Sequence, residues 1–152
     1  MASTLTTATL KVTLTEQITL NSSDYGSKNE FSIGGIGEVS KRIITTNGTS
    51  STTLVSFSGS ASAGQYQDSS VRYVRVTNLD DANFATLRFL GESSTDYALR
   101  LDPTGSYMIA STSTTGLTNY SDISGIVLEN LTQISATADT AAVDLELFVA
   151  SV

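Results

Sequence analysis

The chain contains no cysteine, histidine or tryptophan, and Pro103 is its only proline. Without cysteine it can form no disulfide, thiolate nucleophile, iron–sulfur cluster or cysteine zinc site. Without histidine it lacks the usual general base near neutral pH and the commonest metal ligand. No apolar run approaches the ~20 residues of a spanning helix, so no membrane partner is expected. The opening residues, Met1-Ala2-Ser3-Thr4-Leu5, have neither the charged lead nor the apolar stretch of a secretory signal, so the chain is expected to fold where it is made. Charge is also sparse. Only 15% of residues are charged, and 8 basic against 15 acidic residues give a net charge of −7. Such a surface repels phosphate backbones, which argues against nucleic-acid binding.

What is abundant is serine and threonine, 46 of the 152 residues. That composition could belong to a disordered chain, but disordered segments lack regular apolar alternation. Here the alternation is persistent. Leu10, Val12, Leu14, Ile18 and Leu20 share one parity, the period-two pattern of a strand with one buried face. Turn material from Asn21 to Gly26 precedes Phe31 and Ile33, and strands are predicted over 38–46 and 52–58. Asn47-Gly48 between these two is a strong hairpin signal, because both residues tolerate positive φ. Further strands are predicted at 71–77, 84–90, 97–101, 107–111, 126–128, 133–137 and 143–149. Asp102-Pro-Thr-Gly105 reads as a type I turn leading into a returning strand, and Asp139 to Ala142 joins the last pair. No 11-residue window shows a capped helical period. About ten short strands with little or no helix indicate an all-β fold, an antiparallel β-sandwich of jelly-roll type. The expected organisation is an N-terminal arm over 1–9, mobile or bound to a partner, and one sandwich domain over 10–152.

The candidate chemical motifs have plainer readings. Asp68, Asp80, Asp81 and Asp102 fit no calcium loop, and aspartate is common in turns because it bonds its own backbone. Glu92, Asp96, Glu129 and Glu146 offer carboxylate pairs of the kind glycosidases use, but any acidic chain does. Gly34-Gly35-Ile36-Gly37 lacks the Lys-Ser/Thr ending of a phosphate loop and reads as a bulge or tight loop. Arg72, Arg75, Arg88 and Arg100 sit on predicted strands, where pairing with acids such as Glu92 or Asp96 competes with an anion-binding face. No catalytic residue, metal ligand or cofactor site is assigned.

Two features have a constructive reading. The uncharged, β-tolerant arm, with Leu5 as its large apolar residue, is suited to adding to a neighbour's sheet edge. Tyr25, Tyr66 and Tyr120 fall in predicted Gly/Ser-rich loops, where a tyrosine ring supplies contact area at low entropic cost. These four residues are the interface candidates.

Three blocks carry a family resemblance: Val71-Arg-Tyr-Val-Arg-Val-Thr-Asn-Leu-Asp-Asp-Ala-Asn-Phe-Ala-Thr-Leu87, Tyr97-Ala-Leu-Arg-Leu101 with Gly105, and Ala138-Asp-Thr-Ala-Ala-Val-Asp-Leu-Glu-Leu-Phe-Val149. In them the chain resembles small virion structural proteins of tailed bacteriophages, particularly those of marine cyanobacterial phages. It departs from that group at Asp102-Pro-Thr-Gly105, where the group often has a Pro-Gly turn. The resemblance implies a non-enzymatic virion component. It would be a capsid decoration (cement) protein that forms homo-oligomers and docks on the major capsid protein or other virion proteins. The alternative is a tail or fibre module that recognises a host-surface glycan or protein.

Overall fold

The computed structural model describes residues 6–92, 96–111 and 130–152. Leu5, Tyr120 and the strand predicted at 126–128 lie outside them. Among the described residues thirteen strands run in chain order: β1 Ala8–Glu16, β2 Thr19–Leu20, β3 Ser23–Asp24, β4 Ser27–Ile36, β5 Glu38–Thr46, β6 Thr52–Ser58, β7 Tyr66–Gln67, β8 Val71–Asn78, β9 Ala85–Gly91, β10 Asp96–Leu101, β11 Ser106–Ala110, β12 Leu131–Ala138 and β13 Val143–Ser151. A 3-10 turn, Asp68–Ser70, precedes β8. No helix among the described residues is long and apolar enough to cross a membrane.

Nine of these strands build two sheets. One has the order β11-β8-β13-β5, the other β10-β9-β12-β6-β7. Every pairing in them is antiparallel except β6 with β7. Leaving aside the two-residue β7, successive strands cross from one sheet to the other at every step except β9 to β10. This is the connectivity of an eight-stranded jelly roll. The fold is therefore an all-β antiparallel sandwich, as the alternation predicts.

The crossings overturn the hairpin expected at Asn47-Gly48, and two other consecutive strand pairs also part. β5 and β6 do not pair: Ile44 lies opposite Leu145 of β13, and Val55 opposite Ile134 of β12. β10 and β11 likewise part to β9 and β8, and β12 and β13 occupy different sheets. In each case the connection is an arch. Strands with one apolar face can bury it beside each other or across the core, and the turn residues do not distinguish the two. Gly48 has no positive φ; instead, a β-carbon there would lie 2.8 Å from the carbonyl oxygen of Asp139 in the β12–β13 arch. The Asp102–Gly105 turn forms, with the Gly105 amide donating to the Asp102 carbonyl at 3.0 Å. Thr104 has φ of 60°, however, which is the type II rather than the type I requirement at that position.

The core fills the space between the sheets. β13 sends Val143, Leu145, Leu147 and Val149 inward, and Ala85, Leu87 and Phe89 of β9 face them. Tyr97 of β10 stacks on Phe89 at 4.6 Å. Burial, and then the hydrogen bond with Tyr107, push the Tyr97 hydroxyl well above the ordinary tyrosine range. Buried polar groups are satisfied: Thr46 Oγ1 donates to the Ala136 carbonyl at 3.0 Å, and Asn78 Nδ2 to those of Asn83 and Leu101.

Candidate interaction surface

Outside the two sheets, residues 8–36 form a ribbon. β1 pairs with β4 from Ala8 opposite Ile36 to Glu16 opposite Ser27. The Tyr25 amide donates to the Ile18 carbonyl at 2.9 Å, and β2 and β3 continue to Leu20 opposite Ser23. Asn21 and Ser22 close the end with φ of 50° and 64°, the backbone a type I′ turn demands. Near its base, Gly35 takes φ of 76° opposite a register shift between Ala8 and Leu10. The glycine cluster is thus a bulge, as its sequence suggests. At ~3.3 Å per residue, Ala8 to Leu20 spans roughly 40 Å. Ala8 and Thr9, assigned to a separate arm on sequence grounds, begin this ribbon, and residues 10–36 lie outside both sheets of the sandwich.

The pairing places Val12 opposite Phe31 and Leu10 opposite Ile33 on one face. At the base that face is covered. Ile33 and Ile36 are buried, and Leu10, Val12 and Phe31 pack with them against Tyr73, Phe148 and Ala150 on the outer face of the four-stranded sheet. Tyr73 and Phe148 meet edge to face at 5.7 Å. Further out the cover stops. Leu14, Ile18, Leu20 and Tyr25 are 51%, 56%, 57% and 65% exposed. Sequence parity assigns Leu14, Ile18 and Leu20 to a buried face; the alternation is real, but no layer of the described residues covers it. The opposite ribbon face is polar, with Lys11 2.7 Å from Glu30.

Beside the ribbon base, the outer sheet face carries a three-membered ion cluster. Glu146 lies 2.6 Å from Arg75 and 2.9 Å from Lys41. The Lys41 hydrogen bond, with further help from the charges of Lys41 and Arg75, holds the Glu146 carboxyl below its usual range against some desolvation. Val39 and Ile43 flank Lys41 on edge strand β5, both more than half exposed. Sequence reading found a strand of mixed faces there but no signal that both residues would be uncovered.

The remaining candidates separate. Tyr25 stands near the ribbon turn. Tyr66 is not in a loop: it lies in β7, pairs with Phe57 of β6, and packs half-buried against the main core. Three of the four candidate arginines pair with acids. Arg88 meets Asp96 across β9 and β10, Arg100 meets Asp102 at 2.6 Å, and Arg75 meets Glu146. Arg72 turns to the carbonyls of Ser69 and Val71. Asp80 accepts from the amides of Ala82 and Asn83 at 2.8 and 2.6 Å, bonds that hold its carboxyl below the usual range. That is turn chemistry. Asp96 and Glu146, two of the acids considered for a hydrolytic pair, lie on different sheets, each bound to cations.

Comparisons of the chain with protein-family models, with curated proteins and with solved structures return no match.

Proposed function

We propose that this chain is a non-enzymatic structural protein of a bacteriophage particle, a capsid-decorating protein that self-associates and docks on the major capsid protein. The observation that carries the reading is the ribbon whose apolar side outruns the cover the described residues supply. An isolated two-stranded ribbon is marginally stable in water, so a long one with Leu14, Ile18 and Leu20 uncovered is suited to seating on another surface. The jelly roll is compatible with this role, being common among viral capsid domains, although the same fold also serves lectins and cupins. The resemblance in three strand-and-turn blocks supports a place in the particle.

The test combines sizing and particle binding. The purified chain should scatter light as an oligomer and co-sediment with undecorated capsids. Leu14→Ser/Leu20→Ser should abolish oligomerisation while leaving the melting temperature of the sandwich almost unchanged. A wild-type chain that stays monomeric and never sediments with capsids overturns the reading.

A recognition module of the tail or a fibre is the second reading. What favours it is a polar groove beside Tyr66, at the edge of the sandwich away from the β10 and β11 strands.

A further inference from the structure

β5 is an edge strand of the four-stranded sheet, and the facing edge of the other sheet is extended only by the two residues of β7. Between these edges the sandwich stays open. The result is a groove of about 410 Å³, lined among others by Glu38, Arg42, Val55, Gln65, Tyr66 and Gln67. Val55 is almost wholly buried; Ala61 and the exposed Val152 give the groove an apolar part, and most of the remaining lining is polar.

The polar groups there are not consumed by the fold. The Glu38 carboxylate, the Gln65 and Gln67 carboxamides and the Tyr66 hydroxyl make no side-chain hydrogen bond with any described residue. Arg42 gives one donor to the Leu54 carbonyl, out of the five a guanidinium carries. This set narrows the ligand. A cation would need several hard oxygens, and the described residues contain no cluster of three acidic ligands. An anion could meet Arg42 but would also face Glu38 in a chain of net charge −7. An apolar ligand would strand the carboxamides without partners. A neutral ligand rich in hydroxyls satisfies them all. Carboxylate and carboxamide groups can bond paired hydroxyls, and a tyrosine ring offers area to the C–H face of a sugar.

We propose that the groove between β5 and β7 binds a short, neutral saccharide. It binds without cleaving: glycoside hydrolysis ordinarily needs two carboxyls across the bond, and among the described residues Glu38 is the only carboxylate side chain lining the groove. The inference does not rest on the assembly reading, since a chain that never associates would still bind sugar.

The experiment is an NMR titration of the isotope-labelled full chain with galactose, N-acetylglucosamine, lactose and cellobiose, with inorganic phosphate and sialic acid as anionic probes. At least one neutral sugar should shift the amides of residues 38–42 and 62–67, saturating with an affinity on the order of millimolar. Gln65→Ala/Gln67→Ala and, separately, Glu38→Ala should weaken that binding at least tenfold with unchanged melting temperature. The proposal is overturned if no neutral sugar moves these amides at tens of millimolar. It is equally overturned if only the anionic probes move them, or if both variants fold and retain wild-type affinity.

Discussion

Gly48 and Asp139 belong to different arches of the jelly roll, yet a β-carbon on Gly48 would come within 2.8 Å of the Asp139 carbonyl oxygen. The Ala138 amide also donates to the Asn47 carbonyl at 3.1 Å, so the β5–β6 and β12–β13 connections are fastened to each other. Gly48→Ala should therefore cost about 1–3 kcal/mol, because the obstructing atom is backbone and cannot rotate away. Gly59→Ala, where nothing lies within 4 Å, should stay within about 0.5 kcal/mol of wild type. Urea denaturation of both variants checks the contrast; equal stabilities would refute the close approach.

The Lys41–Glu146–Arg75 cluster predicts an acid-side dependence. The folded carboxyl of Glu146 titrates below its unfolded value, so its contribution is present above the unfolded pKa and is lost as pH falls through the folded one. Asp80 acts in the same direction. Melting temperatures measured from neutral pH into acid should show the wild type exceeding Glu146→Gln at neutral pH. The gap should close below about pH 4. A constant gap would show that the cluster matters only through packing.

Ile33 joins the ribbon base to the sheet face at Tyr73 and Ala150. Ile33→Ala should cost about 2–4 kcal/mol in the ribbon's own docking. Amide exchange should accelerate across β1 and β4, while β9 and β12 at the core keep their protection. Uniform acceleration would mean that ribbon and sandwich open as one unit.

Thr104 is a β-branched residue held at φ of 60°. Replacing it with glycine should relieve the left-handed strain and stabilise the chain by about 1 kcal/mol, set against some loss of chain stiffness. Thr104→Asn should gain part of this. The order Gly, Asn, Thr in melting temperature checks it, and a glycine variant less stable than wild type rejects it.

The strands were legible because parity is written directly in the residues: Val143, Leu145, Leu147 and Val149 can hardly be anything but one face of a strand. The partners were not legible. Asn47-Gly48 satisfies hairpin chemistry locally, and only the long-range pairing of Ile44 with Leu145 shows that the chain crosses the core instead. Parity likewise names the apolar side of β1 without saying what covers it. Leu10 and Leu14 look alike in sequence, yet the first meets the sheet and the second meets solvent. Of the interface candidates, Tyr25 stays exposed, whereas Tyr66 was misread because Gly/Ser-rich flanks conceal a two-residue strand pairing in parallel.

β13 lies between β8 and β5 in its sheet, although it follows both by many residues in the chain. The sandwich thus cannot close until β13 has emerged, whereas the ribbon, built wholly from neighbours in the chain, can pair as soon as residues 8–36 are out. Such non-local wiring makes for slow maturation of the body, and a nascent chain would carry its ribbon well before it has a finished body to hold it.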